Sequence, residues 1–459
     1  MKTDPRYLAV LFLLAACFGL QAQQHLTLYH MPQVPQSYTL NPGKIPWVKT
    51  YAGIPTLTAL QVEANAGNLA YSDIRFAMDG NLHDFDFERL NARIGDGPVK
   101  VQAEVSLKAI SFGTRLPSGF LHAEVADQVF SGVQLSHDIA DLFEQIQRFN
   151  AVPEDVRYDF SDTELSGSYV RSYAVGYTHV FAPGLSAGIR AHYLEGMVYV
   201  RTEENTLAFV RSGAENRLDI LGSIEFQAAG LLRIDEFKGK YLVPGDKPGH
   251  GFSVDLGVNY LLNDRIELSF SALNLGGITW KKERSNVVLS LSSTLAAYFQ
   301  STDLETFETG WEEVYHSLVE QGKHSELEKI KQSLPVRLYL GGLYQLTPQT
   351  SLGAVLQTRH SVFSGMDWGM AASVNTRLHK VLGVSGALQY NSFGDFGLGM
   401  GLNADLGPVQ LYLVSDDLFT TLHFKQANYA TAEVGLNLVF GKLDRAGHLG
   451  YYGYPAMAP

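Results

Sequence analysis

The sequence alternates between apolar and polar or small residues with a period of two over most of its length. In one run Val254, Leu256 and Val258 fall on one face, whereas Asp255 and Asn259 fall on the other. The same alternation recurs in the runs 266–271, 336–345, 368–375, 396–403 and 432–440. Because successive side chains of a β-strand point to opposite sides, each run predicts a strand with one apolar and one polar face.

The length and number of these runs favour strands that cross a membrane. They last roughly 9 to 11 residues, the length of a tilted transmembrane strand, whereas an average soluble strand has about five or six. In lipid every backbone N–H and C=O must be paired, and strands achieve this only in a closed barrel. We therefore predict an all-β fold, an antiparallel transmembrane barrel of about 14 strands, from roughly 14 to 18 candidates. Two or three soluble β-sandwiches are the alternative.

Aromatic residues and overall composition agree with a barrel in the outer membrane. Barrels of this kind carry aromatic belts at both membrane surfaces. Aromatic side chains recur at the ends of the runs: Tyr173, Phe181, Tyr193, Tyr260, Trp280, Tyr344, Trp368, Tyr390 and Phe440. A mean hydropathy of −0.03 is too polar for a bundle of membrane helices. The net charge of −12 (35 − 47) leaves no basic surface for nucleic acid.

The first residues read as an export signal. Lys2 and Arg6 precede an apolar stretch from residue 7 to residue 20, which has the length of a secretory signal core. We predict a signal peptide over 1–22, with cleavage after Ala22. The alternative is lipidation at Cys17, because residues 14–17 read Leu-Ala-Ala-Cys, a bacterial lipobox. Both interpretations predict that the chain is exported from the cytoplasm.

Four segments follow from the changes in pattern. Residues 1–22 are the signal peptide, and residues 23–55 carry five prolines, which cannot donate to a β-ladder. This stretch is predicted to be an N-terminal plug or a periplasmic segment, and no membrane strand. Residues 56–440 are the predicted outer-membrane barrel. Residues 441–459, rich in glycine and tyrosine, form a C-terminal tail that is either an unstructured extension or a docking segment for a periplasmic partner.

Two stretches inside the predicted barrel change to a helical period. In 136–150, Ile139, Leu142 and Phe143 share one face behind a candidate N-cap at Ser136. In 301–333 a similar face carries apolar residues from Trp311 to Val319. Both stretches lie in long connections, which outer-membrane barrels place on the outer side. We predict short helical insertions in long loops, serving either as rim packing or as a gating or partner-binding element.

No motif predicts catalysis, a cofactor or a metal site. Residues 184–188 fit the G-x-S-x-G pattern of serine hydrolases, but the serine opens an alternating strand instead of a strand-to-helix elbow. The glycines of 397–401 occupy alternate strand positions and no helix follows them, so we interpret them as thin positions of the lumen wall. The acidic residues around Gly80 do not have EF-hand spacing. We predict a protein that is not an enzyme, with no cofactor and no metal.

Charged residues opposite the apolar faces are the remaining candidates for function. A charge facing lipid near the bilayer centre costs about 2–4 kcal/mol, so these side chains should point into the barrel. The lumen-facing candidates are Lys100, Glu104, Arg190, Asp255, Glu267, Arg337, Arg377, Asp405 and Glu433. Both signs occur, which predicts a lumen crossed by ion pairs. Either these pairs only hold the wall and plug together, or some line a narrow path for an apolar or amphipathic solute.

Several short stretches resemble FadL-like outer-membrane barrels of Bacteroidota, a mostly uncharacterised group related more distantly to PorV. The stretches are 35–42, 53–55, 188–196, 255–258, 273–280 and 407–412. The resemblance implies a barrel with an N-terminal segment tucked inside and passage of apolar small molecules. PorV-like relatives instead imply a partner-binding barrel associated with protein secretion. The expected partners are therefore outer-membrane lipid, an apolar small-molecule solute, and a periplasmic or secretion-system protein.

Overall fold

The computed structural model describes residues 25–55, 58–65, 97–139, 141–142, 155–212, 217–230, 245, 247–294, 323–363, 365–392, 396–418 and 429–452. The signal peptide predicted over 1–22 and the lipidation alternative at Cys17 lie outside the described residues. Strands dominate the described part, and all of them pair antiparallel within one sheet.

The strands follow one another along the chain with few other elements between them. In chain order they are β1 (Val48–Gly53), β2 (Ala59–Asn65), β3 (Val99–Leu116), β4 (Gly119–Leu135), β5 (Val156–Asp159), β6 (Glu164–Ala182), β7 (Leu185–Asn205), β8 (Ala208–Ser212), β9 (Arg217–Ala229), β10 (Gly249–Leu261), β11 (Ile266–Trp280), β12 (Arg284–Thr294), β13 (Lys323–Glu326), β14 (Ile330–Ser333), β15 (Val336–Gln345), β16 (Thr350–Ser361), β17 (Gly365–His379), β18 (Leu382–Asn391), β19 (Phe396–Leu406), β20 (Val409–Ser415) and β21 (Tyr429–Lys442).

Fourteen wall strands close into an antiparallel barrel. The wall runs from β1 and β2, which together fill one position, through β3, β4, β6, β7, β10 and β11, and then through β15 to β21. Closure is made by β21, which pairs with β1 at Thr50↔Phe440 and with β2 at Leu60↔Val434. The predicted fold class and strand number are confirmed, and the sandwich alternative is wrong.

The wall begins earlier than the sequence indicated. Val48–Gly53 forms β1, between β21 and β3, although the prolines of 23–55 had argued against any membrane strand there. The reason is the position of the prolines. Pro46 precedes β1 and Pro55 follows it, so the six residues of the strand all keep their N–H donors.

Apolar side chains cover the outside of the barrel and polar ones face inward. On β10, Phe252 is 70% exposed while its neighbours Ser253 and Asp255 are buried, and on β19 Phe396 is 84% exposed. Because exposed aromatic and aliphatic side chains form a continuous surface only where lipid covers them, this surface is the membrane-facing side.

The two ends of the barrel differ in the length of their connections. The links after β3, β6, β10, β15, β17 and β19 are tight turns at one end, whereas the links at the other end include the long ones. Outer-membrane barrels place tight turns in the periplasm and long loops outside. We name these the periplasmic end and the outer end. The chain enters β1 and leaves β21 at the periplasmic end.

Beyond the wall, β5, β8, β9, β12 and β13 extend the sheet at the outer end. Strand β9 pairs with the outer part of β7, with β8 and with β12, and β13 pairs with β12. The helical prediction for 301–333 is therefore wrong over its last part, since β13 pairs with β12, and β14 with β11 at Trp280↔Ile330. Pairing with neighbouring strands overrides the local helical pattern there.

Short helices are the other regular elements of the described chain. Helix α1 (Arg445–Tyr451) lies in the predicted tail, and Asp444 caps it by accepting a hydrogen bond from Gly447 N at 2.8 Å. Within 136–150, residues 138, 139, 141 and 142 are helical, and residues 140 and 143–150 lie outside the described residues, as does the apolar face from Trp311 to Val319. No helix in the described ranges is long and apolar enough to cross a bilayer.

Candidate functional site

Residues 25–47, which we call the inner segment, lie within the lumen. They contain two 3-10 helices, Leu28–His30 and Pro35–Leu40, and nearly all their side chains are buried. Prolines prevent this segment from pairing as a strand, so its carbonyl groups need other donors. Hydroxyl groups of the wall supply them: Thr178 donates to the carbonyl of Pro42, Ser186 to that of Gly43 and Ser271 to that of Leu40, each at 2.6 Å.

Side-chain amides and a carboxylate hold the other half of the inner segment. Gln36 and Asn437 exchange two hydrogen bonds, with Nε2 to Oδ1 at 2.7 Å and Nδ2 to Oε1 at 2.9 Å. Asp416 accepts from the backbone N–H of Thr27 at 2.9 Å. A buried bond of this kind contributes about 1 kcal/mol, and an unpaired buried group costs more. The inner segment is therefore fixed in one position by many modest bonds.

Glycines of the wall make room for the inner segment. A Cβ at Gly188 would overlap the carbonyl oxygen of Pro42, and a Cβ at Gly257 would lie 2.5 Å from the nitrogen of Gly43. Other wall glycines meet the segment in the same way: Gly341, Gly353, Gly383, Gly399 and Gly401. Within the glycine run 397–401, Gly399 and Gly401 thus form part of the docking surface for the inner segment.

Replacing Gly188 by valine is expected to displace the inner segment from the wall. The new side chain collides with backbone atoms of Pro42, which cannot move without breaking the bond from Thr178. Limited proteolysis of the purified protein should then cut within 25–47 faster by about an order of magnitude, as expected when a bond and its packing are lost. Gly386→Val is the matched control, because nothing lies within 4 Å of a Cβ there. Equal protection in both variants would contradict this docking.

Three cavities follow one another along the lumen. The outer chamber, of about 250 Å³, lies among the outer ends of β4, β6, β11, β15 and β16, and its apolar lining includes Phe130, Val170, Leu334 and Phe363. The inner chamber, of about 70 Å³, lies deeper and rests on Thr39 of the inner segment. A third cavity of about 30 Å³ lies on the periplasmic side of the segment. The accessible space therefore narrows where the inner segment crosses the lumen.

A buried ion pair joins the wall beside the inner chamber to the inner segment. Asp255 is 0% exposed and accepts from Arg190 Nε at 2.7 Å, from His192 Nε2 at 2.9 Å and from the Asn274 N–H at 2.7 Å. Arg190 Nη2 also donates to the carbonyl of Thr39 at 2.9 Å. A β-bulge at Asn274, whose φ is +62°, turns that N–H toward the carboxylate.

Further ion pairs cross the same region. Arg337 Nη2 donates to Glu104 Oε2 at 2.6 Å, and this pair lines both the outer and the inner chamber. Glu433 accepts from the Tyr412 hydroxyl at 2.8 Å and lies 3.8 Å from Lys108 Nζ. The lumen is thus held by charges of both signs, with its apolar surface at the outer end.

The predicted lumen residues fall into three groups. Glu104 with Arg337, and Arg190 with Asp255, form pairs, while Glu433 takes other partners. Glu267 and Asp405 are buried near the periplasmic end, where Asp405 lies 3.2 Å from Lys442. Lys100 and Arg377 are half-buried and lie on the inward face of their strands. They line none of the three cavities.

The lumen also holds polar side chains outside the predicted set. They are Lys108, Glu124, His192, Arg359 and Asp367, all buried on inward faces. Arg359 and Asp367 form a further pair at 3.3 Å. Each lies on the same face of its strand as a predicted lumen residue or as other buried residues. The two-residue alternation of the sequence therefore also predicts that these side chains face inward.

The inner segment carries two groups with shifted pKa values. Burial, reinforced by Lys44, holds the pKa of His30 well below its usual value, so its imidazole is neutral. Burial also lowers the pKa of Lys44 to about 8, and the carboxylate of Glu267 offsets part of this. The Lys44 side chain borders the small periplasmic cavity but is otherwise surrounded by protein, and its ammonium lies 3.9 Å from the Tyr29 ring centroid.

Lys44 should make stability depend on pH. Between pH 8 and its unfolded pKa of 10.5, the unfolded chain retains a proton that the folded chain has released. The free energy of unfolding therefore rises with pH in this window. Below pH 8 the contribution of Lys44 to it does not change with pH. The free energy of unfolding of wild type and of Lys44→Met is measured by urea denaturation between pH 6 and 10. The difference between the two free energies (wild type minus variant) should rise above pH 8. A constant difference would contradict the shifted pKa.

Helix α1 covers the periplasmic mouth of the barrel. The Tyr452 hydroxyl lies 3.2 Å from the Ser186 hydroxyl, and the Tyr452 carbonyl accepts from Gly184 N. The ring of His448 lies 5.4 Å from that of Trp47, at the end of the inner segment. The part of the predicted tail that the structure describes is therefore an ordered cover over the inner segment.

Among the described residues, no group of three or more His, Cys, Asp or Glu side chains is placed to hold a metal ion. The lumen has an outer chamber with apolar and polar lining residues, a smaller polar inner chamber, and a floor formed by the inner segment. Such an arrangement can enclose a small molecule with an apolar body.

Solved structures similar to the chain include the Ralstonia pickettii toluene transporter TbuX (TM-score 0.42, 11% identity, 88% of this chain and 94% of that one). Others are the Pseudomonas putida toluene transporter TodX (0.41, 9%, 92% and 97%) and a Pseudomonas aeruginosa FadL homologue (0.38, 8%, 85% and 89%). No curated protein matches the sequence. Residues 42–416 match the model of the family of unknown function DUF5723, and the chain belongs to this family.

Proposed function

We propose that this outer-membrane barrel is a conduit for small apolar or amphipathic molecules, with the inner segment as its barrier. The observation that carries the proposal is the sequence of cavities, from about 250 Å³ at the outer end to about 70 Å³ above the inner segment. The lining of the outer chamber includes Phe130, Val170, Leu334 and Phe363, which suit an apolar solute, beside polar and charged residues such as Arg201 and Lys331. Passage requires the inner segment to shift.

Uptake by cells that carry the protein tests this proposal. The chain is expressed in a Gram-negative host whose own channels for apolar solutes have been removed, and uptake of radiolabelled 1-octanol and octane is measured. We expect uptake several times faster than in cells without the protein. Ser168→Trp, which fills the outer chamber, should abolish the gain, whereas Ala372→Trp on the lipid face should retain it. Uptake that is unchanged by the protein would contradict the conduit.

A second candidate is a partner-binding barrel of the PorV kind. The observation in its favour is the sheet extension at the outer end, where β13 pairs on one side with β12 and has no second partner strand among the described residues. Such an edge presents backbone donors and acceptors that another chain can pair with. Isolation from native membranes with a stoichiometric protein partner would favour this function, and recovery of a solitary monomer would favour the conduit.

A further inference from the structure

Three buried polar atoms around the inner chamber have no hydrogen-bond partner within the described part of the chain. They are Glu124 Oε2, Arg190 Nη1 and the Ser253 hydroxyl oxygen. All three residues line the same cavity of about 70 Å³, and their side chains are deeply buried, with exposures of 8%, 5% and 3%. A buried polar atom without a partner costs about 1–3 kcal/mol, so three around one cavity indicate a place for a polar ligand group.

The inner chamber continues into the apolar outer chamber. The two cavities share five lining residues: Glu104, Gln128, Asn274, Leu334 and Arg337. A molecule with its polar head among Glu124, Arg190 and Ser253 would therefore place its apolar body against Phe130, Val170, Leu334 and Phe363. The two chambers together form one site with an apolar part and a polar part.

The unpartnered atoms specify the chemistry of the head group. Arg190 Nη1 can only donate, the Glu124 carboxylate can only accept, and the Ser253 hydroxyl can do either. A hydroxyl or a primary amide both donates and accepts, so it satisfies all three. A carboxylate would be repelled by Glu124, and an ammonium, which can only donate, would leave the donor Arg190 Nη1 unpartnered.

The charge of the inner chamber also argues against an anion. Its lining has three cations (Lys108, Arg190, Arg337) and three anions (Glu104, Glu124, Glu433), and Asp255, bonded to Arg190, adds a fourth anion. The formal sum is 3 − 4 = −1 with neutral histidines. Because Arg190 is already paired with Asp255 and bonded to Thr39, it has no spare positive charge for a carboxylate. A further buried anion would therefore be unfavourable.

We infer that the solute of this barrel is a neutral amphiphile whose hydroxyl or amide head binds Glu124, Arg190 and Ser253. This inference rests on the proposed conduit and adds a head-group preference to it. The polar site selects which apolar molecules stay in the lumen, and the inner segment lies directly beneath the selected head group.

Binding of four probes with the same alkyl chain tests the inference. The purified full-length protein is transferred into an amphipol, so that no alkyl detergent competes, and 1-octanol, octanoate, octylamine and octane are titrated by calorimetry. We expect 1-octanol to bind at least about tenfold more tightly than the other three, the effect of one or two satisfied polar groups. Equal binding of all four probes, or tighter binding of octane, octanoate or octylamine, would overturn the head-group site.

Two variants place the preference at the named residues. Glu124→Gln removes the repulsion of carboxylates, so the preference for 1-octanol over octanoate should fall at least about tenfold. Ser253→Ala should weaken 1-octanol binding by about three- to tenfold and leave octane binding unchanged. Glu326→Gln, at an exposed position of β13, is the matched control and should change neither. Unchanged preferences in both variants would refute the assignment even if 1-octanol binds.

The outcome separates this inference from the conduit. Protein-dependent uptake of both octane and 1-octanol, with no effect of Glu124→Gln on binding, would refute the head-group site and leave the conduit standing. Binding of 1-octanol that depends on Glu124, with no protein-dependent uptake, would refute the conduit and leave a binding site.

Discussion

Asp255→Asn is expected to destabilise the barrel by about 3–5 kcal/mol, because it leaves a buried guanidinium without its counter-charge. The carboxylate accepts from Arg190, His192 and the Asn274 N–H, and its side chain is fully buried. An asparagine can still accept from Asn274 but cannot neutralise Arg190. Unfolding in urea, with the protein in lipid vesicles and tryptophan fluorescence as the signal, measures the loss.

Two further variants make this result specific. Glu164→Gln breaks a pair with Arg201 whose side chains are 24% and 29% exposed, so the loss should be at most about 1 kcal/mol. The double variant Arg190→Met with Asp255→Leu removes both charges and should recover part of the stability, while the Asn274 N–H and the Thr39 carbonyl lose their partners. A similar loss of unfolding free energy in Glu164→Gln and Asp255→Asn would show that burial does not increase the contribution of the Asp255 pair to stability.

Removal of residues 25–47, with residues 1–24 retained because they include the predicted signal peptide, is expected to open the lumen to ions. The segment closes the space between the inner chamber and the periplasmic cavity, and its removal leaves polar wall side chains that water can hydrate. Barrels of this size enclose water unless something fills them. Conductance of the variant in planar bilayers should exceed that of wild type at least about tenfold.

A synthetic peptide of residues 25–47 provides the control for this deletion. Added to the periplasmic side of the variant, where the segment normally enters, the peptide should block the conductance, and a peptide of scrambled sequence should not. High conductance of the wild type, or a variant that folds with wild-type conductance, would contradict the role of the inner segment as barrier.

The wall was predictable from the sequence because its cause is local. Alternation along each strand sets which side chains meet lipid, and Leu256 and Val258 on one face against Asp255 on the other show this directly. The same parity placed Arg190 and Asp255 in the lumen. Their contact needs one more fact, the register of β7 against β10, in which Asp255 lies opposite Arg190.

Other features depend on contacts that no local pattern reports. Glu104 and Arg337 are 233 residues apart and meet across the lumen, so neither sequence neighbourhood indicates the other. Pro42 packs against Gly188 because glycine has no side chain at this position. The sequence shows a small residue there but does not indicate which segment packs against it. Pairing with β12 and β11 fixes β13 and β14 as strands although their sequence has a helical period. Contacts with the periplasmic mouth fix α1 although its sequence is rich in glycine.

The position of α1 links the two ends of the described chain. Closure of the barrel by β21 and β1 brings both ends to the periplasmic side. The inner segment joins β1 there, and α1 covers the mouth beneath it. Tyr452 bonds to Ser186, and Ser186 in turn holds Gly43, so α1 and the inner segment share one wall residue. The inner segment therefore cannot leave the lumen on the periplasmic side unless α1 is displaced first.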